Sequence, residues 1–390
     1  MRMQKVTSAL VGLLLAGLAA TSAHAETVRS KQWYLDAMKA DDIWKISTGK
    51  GVTVAVIDTG VARIPELEGQ VLPGKDFAPE SIEGDERTDY KNHGTTMASL
   101  IVGNGKGPGG VESAFGLAPD AKVQSLRVDM NGNGISRNTT LADAIRFAAD
   151  SEAKILNISL GWGDSEELRG AVRYALDKGK LIFAASGNDG GAQLNYPAGV
   201  PGVVGVGAIG SDGAATKEST HNVAVDLAAP GFDIIAACSG GTGLCTGHGT
   251  SDATALTSAS AALLWSAHPT WTNNQVLRVL LNTAGKPVDG VERNDYIGYG
   301  VVRPRVALPT PGDPGPPDVY PLPDLAAAGA AGSPPPAAKI TPSPAPKPQA
   351  AANKGGGGLP WLALGLGACV LIGGAVTAVV VRRAKSGAQP

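Results

Sequence analysis

The chain has 390 residues, of which 43% are apolar, enough to fill a sizeable core in one large domain or two ordinary ones. A formal net charge of −2 argues against a general nucleic-acid binder, and we expect no nucleic-acid partner. Glycine and proline are frequent, but much of their excess lies in the last third of the chain, so it is a local bias rather than a property of the core.

The N-terminus has the pattern of an export signal. Arg2 and Lys5 give it a positive start, an apolar run follows at 8–20, and a small-residue cleavage motif ends at Ala25. We therefore predict a signal peptide over residues 1–25. An uncleaved membrane anchor is the alternative, and the shortness of the apolar run disfavours it.

Apolar, β-branched runs alternate with helical patterns between residues 51 and 308. The run at 52–57 is continuously apolar, as is typical of a strand buried on both faces of a parallel sheet. Strands alternating with helices predict an α/β fold with a mostly parallel central sheet. Residues 26–50 form an N-terminal arm that is expected to pack on this domain. Similar apolar runs are at 123–128, 155–160, 181–185 and 203–208, and helical patterns are at 93–102, 139–150, 166–178 and 251–267.

The chain after residue 308 is predicted to be a linker followed by a membrane span. Residues 309–358 are rich in Pro, Ala and Gly and have too few large apolar side chains to offset the entropy of ordering. Residues 359–381 carry no charge and can cross about 30 Å of hydrocarbon as a transmembrane helix. The basic tail at 382–390 predicts a cytoplasmic C-terminus and an extracytoplasmic domain on the cell membrane. A buried helix is the alternative for 359–381, and its position beyond a long linker disfavours it.

Two of the three cysteines lie in the part of the chain that is predicted to be exported. Cys238 and Cys245 are separated by a flexible, glycine-rich stretch, and disulfides persist outside the cytoplasm. We predict a disulfide between them, worth about 2.5 kcal/mol in the chain-entropy model; two free thiols are the alternative. No metal-ligand spacing of Cys and His is visible, so neither a metal nor another cofactor is expected.

Three residues far apart in the sequence have side chains suited to acyl transfer. Asp58 follows the first buried run, at the strand end where parallel α/β folds place ligands. His93 opens a helix after a polar loop. Ser251 begins the small-residue helix, where a hydroxyl can attack and a free amide can stabilise an anion. Each alone also has an ordinary explanation: a turn aspartate, a surface histidine and a helix-capping serine.

The order of these residues and the motifs AVIDTG, NHGT and GHGTS around them resemble the subtilisin-like (S8) serine peptidases. The resemblance covers residues 40–308 and implies a subtilisin-like three-layer fold. It also implies a catalytic triad. Ser251 would attack the scissile carbonyl, His93 would take its proton, and Asp58 would hold the imidazole in the correct tautomer.

The resemblance further implies which residues stabilise and bind the substrate. Asn188, in the motif ASGND, is assigned with the Ser251 amide to the oxyanion hole. The segments SLG and GNG are assigned to the two strands that pair with the substrate backbone, and Trp162 is expected to narrow the groove. The substrate-binding residues implied in this way are Ser159, Leu160, Gly161, Gly132 and Gly134.

Several nearby residues need a separate interpretation. His248 is expected to be a surface or structural residue rather than the base, and Asp89 a loop residue rather than the triad acid. Two positions depart from the family pattern: Ala255 stands where Pro is usual, and Ser99 where Gly is usual. Both are packing positions near the site.

The combination of an exported domain, a short arm, a Pro-rich linker and one C-terminal span is similar to the mycosins, membrane-anchored peptidases associated with type VII secretion. Trp33, Trp44 and the motifs KGVT and LPG add to this similarity. It implies secreted protein or peptide substrates, a place beside the secretion membrane complex, and an arm that wraps the domain without inhibiting it. The alternatives are a general surface peptidase and a scaffold of the complex whose catalysis is dispensable.

Overall fold

The computed structural model describes residues 27–130, 134–240 and 242–326, without the side chains of 134–137. The predicted signal peptide, membrane span and cytoplasmic tail lie outside these residues. Within the three described ranges, no helix is both long and apolar enough to cross a bilayer.

A seven-stranded parallel sheet forms the centre of the fold. The strands of the described chain are β1 (Thr53–Asp58), β2 (Val71–Asp76), β3 (Asn104–Lys106), β4 (Glu112–Phe115), β5 (Lys122–Arg127), β6 (Ile155–Ile158), β7 (Leu181–Ala185), β8 (Val204–Ile209), β9 (Val225–Pro230), β10 (Ile234–Ala237) and β11 (Leu244–Gly247). The order in the sheet is β2-β5-β1-β6-β7-β8-β9, and all neighbours are parallel. The predicted α/β fold with a mostly parallel central sheet is confirmed. Strands β3 and β4, and strands β10 and β11, form separate antiparallel pairs.

Helices lie on both faces of this sheet and at the N-terminus. They are α1 (Val28–Lys31), α2 (Trp33–Ala37), α3 (Ala40–Ile43), α4 (His93–Val102), α5 (Gly134–Asp150), α6 (Glu166–Asp177), α7 (Thr250–Ala267), α8 (Asn273–Thr283) and α9 (Pro304–Ala307), with short 3-10 turns at Pro65–Leu67 and Pro108–Gly110. Side chains fix where two of them begin. Ser165 accepts a hydrogen bond from Leu168 N at the start of α6, and Thr272 forms a capping box with Gln275 at the start of α8.

The alternating side chains of β1 explain the three layers. Val54 and Val56 belong to a buried cluster with residues of α4, α7 and α8. Ala55 and Ile57 belong to a second cluster, with residues of α5 and α6. Because successive residues of a strand point to opposite faces, one continuous apolar run contributes to both cores.

Helix α7 is buried along most of its length by small side chains. The hydroxyls of Thr254, Thr257 and Ser260 each donate to the carbonyl oxygen four residues earlier, at 2.7–2.8 Å. These bonds satisfy polar groups that would otherwise be costly to bury. Ala255, which stands where Pro is usual in the family, is fully buried within the helix.

The N-terminal arm lies on the domain through buried polar contacts. Gln32 is fully buried; its Nε2 donates to Phe115 O at 2.8 Å, and its Oε1 accepts from Phe115 N at 3.0 Å. The Tyr34 hydroxyl donates to Ile235 O at 2.6 Å. The arm therefore contacts both β4 and β10.

Packing also continues beyond residue 308, into the start of the predicted linker. Arg278 of α8 donates to the carbonyl oxygens of Pro314 and Pro316, at 2.7 and 3.0 Å. The Tyr320 hydroxyl donates to Gly202 O at 2.8 Å. These contacts cannot be predicted from the Pro-rich composition, because Arg278 of α8 binds backbone carbonyl groups rather than side chains.

Candidate active site

The residues singled out in the sequence lie at the carboxyl ends of the strands or on helices that begin there. Asp58 is the last residue of β1, which lies between β5 and β6. The strands that follow β1 in the chain lie first on one side of it (β2 and β5) and then on the other (β6 to β9). Open α/β sheets bind ligands at such a switch point. Ser159 follows β6, Asn188 follows β7, His93 begins α4, and Ser251 is the second residue of α7.

Asp58 and His93 form a direct hydrogen bond. The distance from His93 Nδ1 to Asp58 Oδ1 is 2.8 Å. Asp58 is fully buried, and its Oδ1 also accepts from Thr59 N at 2.8 Å. The His93 side chain is 27% exposed. The bond to Asp58 thus fixes the Nδ1 side of the imidazole ring, while part of the ring remains accessible to solvent.

The environment of His93 favours the charged imidazolium. Burial disfavours that charge, but the attraction and the hydrogen bond of Asp58 outweigh it and raise the pKa of His93 to about 9. Asp252 and Asp89 act in the same direction. His93 is therefore mostly protonated at neutral pH and becomes available as a base as the pH rises.

Asp89 links the start of α4 to the end of β1. Its Oδ2 accepts from Thr95 N at 2.8 Å and from the Thr95 hydroxyl, and its Oδ1 accepts from the Thr59 hydroxyl at 2.7 Å. Thr59 Oγ1 in turn accepts from Gly94 N. These contacts make Asp89 a structural residue of the loop, which agrees with its interpretation from the sequence.

Ser251 lies beside Ser159 in a reciprocal pair of hydrogen bonds. The Ser251 hydroxyl donates to Ser159 O at 2.9 Å, and the Ser159 hydroxyl donates to Ser251 O at 3.0 Å. Of the three residues predicted to form the triad, the structure joins Asp58 and His93 directly, while the Ser251 hydroxyl is bound to a neighbouring backbone carbonyl.

The Asn188 side chain is held by Thr250, a residue that the sequence did not single out. Asn188 Oδ1 accepts from Thr250 N at 2.8 Å and from the Thr250 hydroxyl at 2.9 Å. A backbone N–H can only donate, so the atom facing Thr250 must be the carbonyl oxygen. The amide nitrogen is left free to donate elsewhere. Next to it is Gly249, with φ +137°, where a Cβ would lie 2.8 Å from Asn188 Nδ2.

The predicted substrate-binding segment 159–161 continues from the end of β6. Gly161 is exposed, and within the described chain neither its N–H nor its C=O takes part in a backbone–backbone hydrogen bond. The next residue, Trp162, pairs with Tyr196 through N–H···O bonds of 2.7 and 3.0 Å. Gly161 thus presents a free backbone edge.

The second predicted segment, GNG, is only partly described. Gly132 lies outside the described residues. Gly134 is the first residue of α5, so the expectation of a strand at this residue was wrong. The sequence that follows it, with Leu141, Ala144 and Ile145 buried at helical spacing, favours a helix over a strand.

Asn195 is a site residue that the sequence analysis missed. Its Nδ2 donates to Ser186 O at 2.9 Å. A Cβ on Gly187 would come within 2.1 Å of Nδ2, and a Cβ on Gly161 would lie 3.4 Å from Asn195 Cβ. The Asn195 side chain therefore lies between the backbone of Gly161, in the predicted substrate-binding segment, and that of Gly187, next to Asn188. No feature of its sequence neighbourhood signals this position.

Asp252 was also missed, although it follows Ser251 directly. Its side chain is buried, with 3% exposed, and lies against Gly247, where a Cβ would be 2.8 Å from Asp252 Oδ2. Burial raises the pKa of Asp252 to about 7, against the opposing effect of His93 and His248. His248 itself is 70% exposed and lies 3.6 Å from Glu218, as expected of a surface residue.

A disulfide closes the β10–β11 hairpin immediately before the Ser251 turn. It joins Cys238 and Cys245, whose Cα atoms are 5.9 Å apart. Strand β11 ends at Gly247, and α7 begins at Thr250. The covalent crosslink is therefore only a few residues from Ser251 along the chain.

Known structures with a similar fold include two that bear on function. MycP1 from Mycobacterium smegmatis is 28% identical with a TM-score of 0.64, over 74% of this chain and 86% of that one. A chain in the structure of the periplasmic assembly from the ESX-5 inner membrane complex is 26% identical with a TM-score of 0.65, over 85% of this chain and 92% of that one.

Sequence comparison identifies the family of the chain. The thermophilic serine proteinase of Bacillus sp. (strain AK1) is 34% identical over 264 residues, which are 67% of this chain and 62% of that protein. The chain thus spans less than two thirds of that relative's length. The model of the subtilase family, Peptidase S8, matches residues 49–300. Since this match covers more than half of the sequence, the chain belongs to the subtilase family.

Proposed function

We propose that the protein is a serine endopeptidase that cleaves peptide bonds through an acyl-enzyme on Ser251. The observation that carries this proposal is the 2.8 Å bond between Asp58 and His93, at the sheet edge where α7 presents Ser251. A serine hydroxyl is a poor nucleophile at neutral pH and needs an adjacent base. His93 is that base, and Asp58 keeps the proton on Nδ1 so that Nε2 is free to accept.

The reaction begins when the Ser251 hydroxyl leaves Ser159 O. A rotation about the Cα–Cβ bond of Ser251, between staggered rotamers, turns the hydroxyl towards the imidazole. Catalytic hydrogen bonds often tighten only when substrate is bound. His93 Nε2 then takes the hydroxyl proton as Ser251 attacks the carbonyl carbon, and later gives it to the leaving amine. Asp58 stabilises the imidazolium between these steps.

The negative charge that develops on the carbonyl oxygen is stabilised by Asn188 Nδ2 and the backbone N–H of Ser251. Ser251 lies in the first turn of α7, where backbone N–H groups have no partner within the helix. Asn188 is held in place by its two bonds from Thr250. Donors that are fixed before the reaction need no reorganisation, which makes them effective in the transition state.

An extended peptide substrate pairs with the free backbone edge at Gly161. Such pairing gives affinity with little demand on the substrate's sequence, and side-chain pockets then set the preference. Asn195 lies between Gly161 and Gly187, so its side chain occupies space next to this edge and places a polar amide there. We therefore expect small or polar side chains to be preferred over large aromatic ones at the residue before the cut.

We also propose that the enzyme works outside the cytoplasm beside a type VII secretion complex and processes secreted proteins. MycP1, to which the fold is similar, is a component of the ESX-1 type VII secretion system. The signal peptide predicted at 1–25 and the span predicted at 359–381 provide export and a single-pass anchor in the cell membrane. The N-terminal arm, bound to β4 and β10 through Gln32 and Tyr34, is then a permanent part of the catalytic domain.

A fluorophosphonate probe tests the peptidase proposal directly, because it labels only an activated serine. We expect labelling of Ser251 in the wild type, none in Ser251→Ala, and at least a hundredfold slower labelling in His93→Ala. Mass spectrometry of the labelled peptide identifies the residue. Equal labelling rates for the wild type and His93→Ala would contradict the assigned role of the imidazole.

A scaffold role is a second candidate. It is favoured by the structural similarity to a chain of the ESX-5 periplasmic assembly, which extends over 85% of this chain. Cells that carry Ser251→Ala separate the two roles. If the enzyme acts on secreted proteins, the variant's secreted fraction contains uncleaved substrates, and their termini identify the cut site. If secretion stops in a deletion strain but continues in Ser251→Ala, the folded domain also serves the complex.

A further inference from the structure

The disulfide-closed hairpin has contacts with both of the elements that carry the proposed base and nucleophile. Strands β10 and β11 pair in antiparallel register, with Ala236 opposite Cys245 and Ala237 opposite Leu244. The disulfide joins Cys245 to Cys238, the first residue after β10. Strand β11 leads into the turn that presents Ser251. The other side of the hairpin meets α4, which begins at His93.

Asn92, the residue before His93, binds the hairpin at several points. Its Oδ1 accepts from Ser239 N at 2.8 Å and from the Ser239 hydroxyl at 2.9 Å. Its Nδ2 donates to Ser239 O at 3.3 Å and lies 3.9 Å from Cys245 Sγ. Ser239 is adjacent to Cys238, so all of these contacts are made at the disulfide.

Backbone geometry makes Asn92 a suitable place for such a connection. Its φ is +64°, in the left-handed region that few residues other than Gly and Asn adopt readily. Its carbonyl oxygen accepts from the Thr96 hydroxyl at 2.8 Å. The same residue therefore ends the loop, directly precedes α4 and binds the hairpin, so the hairpin contacts are one residue away from the residue that carries the imidazole.

A second contact joins α4 to the hairpin two turns further on. The hydroxyl of Ser99 lies 2.9 Å from Ala237 O of β10 and 2.8 Å from Thr96 O of its own helix, so its single proton is shared between the two carbonyl oxygens. Ser99 stands where subtilisin-like peptidases usually have Gly, which has no side chain to make this contact. Helix α4 is therefore attached to the hairpin at its first turn, through Asn92, and again through Ser99.

We propose that the disulfide-closed hairpin is a positioning element of the active site, which holds His93 through Asn92 and Ser99 in line with Ser251. This inference rests on the proposed serine-peptidase function. The disulfide fixes the glycine-rich tip, so that Ser239 presents its N–H, hydroxyl and C=O to Asn92 in one arrangement. Without the crosslink those partners move, and a misplacement of about 1 Å at a catalytic group can lower a rate about a hundredfold.

Asn92→Gly is the most direct perturbation, because glycine keeps the left-handed backbone without strain and removes only the amide. The double variant Cys238→Ser/Cys245→Ser opens the hairpin. We expect each to lower kcat for a peptide substrate about tenfold while KM stays within about twofold, since Ser159 and Gly161 are untouched. Combined, the two changes should lower kcat little further, because residues that act through one element are not additive.

Arg278→Ala is the matched control for a loss of stability away from the site. It releases the segment bound at Pro314 and Pro316, so it should lower Tm but leave kcat unchanged well below the unfolding temperature. If Asn92→Gly and the cysteine variant behave like Arg278→Ala, the hairpin is merely structural and the inference is wrong. Fully additive losses of kcat would also contradict it.

A readout that needs no turnover separates this inference from the proposed function. In the Ser251→Ala background, opening the disulfide should speed amide hydrogen exchange at Gly94–Thr96 at least tenfold, while exchange in α8 stays the same. Unchanged exchange at Gly94–Thr96 overturns the positioning role, whatever the activity. A wild-type protein that the fluorophosphonate probe does not label overturns the peptidase proposal instead.

Discussion

Replacing Asp252 by asparagine should stabilise the fold at alkaline pH and have little effect in acid. Burial beside Gly247 raises the pKa of Asp252 from 3.8 to about 7, so the native state favours the protonated carboxyl. Because the folded pKa is above the unfolded one, the contribution of Asp252 to stability is most favourable below pH 4 and is lost as the pH rises through 7. The difference between a pKa of 3.8 and one of about 7 corresponds to about 4 kcal/mol of free energy. Asparagine cannot ionise and avoids this loss.

Urea denaturation in the Ser251→Ala background measures this difference without self-digestion. The free energy of unfolding of Asp252→Asn should match that of the parent near pH 4 and exceed it by about 4 kcal/mol at pH 8. Asp212→Asn, at an exposed loop, controls for the loss of one negative charge. An Asp252→Asn variant that is equally or less stable than the parent at pH 8 would refute the reasoning.

Three further predictions concern catalysis and the core. Asn188→Ala should lower kcat for a peptide substrate about 10²- to 10³-fold with little change in KM, because one oxyanion donor is lost. A rise in KM with an unchanged kcat would contradict this. In the wild type, kcat/KM should rise about tenfold per pH unit towards pH 9, since only neutral His93 accepts a proton; a flat profile from pH 6 to 9 would exclude the raised pKa. Asp76→Asn should cost about 3 kcal/mol in urea denaturation, because it leaves the fully buried Arg127 guanidinium without the carboxylate that lies 2.6 Å away; Arg127→Met, which removes the buried charge itself and leaves only the part-exposed Asp76 unpaired, should cost less.

The fold could be predicted from sequence because its strongest signals are local. The run at 52–57 is apolar at every position, and it proves to be the strand whose alternate side chains fill two cores. Asp58 and His93 were recognisable from the motifs around them. The position of each at the end of a strand or the start of a helix follows from the same local pattern.

Other parts of the site depend on contacts between distant segments, which a local pattern does not contain. Asn195 reaches the region between Gly161 and Gly187 because the backbone of Trp162 pairs with that of Tyr196. The packed residues of the Pro-rich segment are bound by Arg278, more than thirty positions earlier in the chain. The helix at Gly134 was mistaken for a strand because a family motif was given more weight than the helical pattern that follows it.

The stability and pH predictions share one physical cause, and this makes them more informative together than apart. The ionised Asp252 that weakens the fold at alkaline pH is also one of the charges that raise the pKa of His93. Asp252→Asn should therefore both stabilise the protein at pH 8 and move the acid limb of kcat/KM to lower pH. A stability gain without that shift would mean that the buried carboxyl and the imidazole do not interact. A shift without a stability gain would mean that the folded protein does not disfavour the charge of Asp252. Only the two effects together support a histidine whose proton affinity is set by acids on both β1 and α7.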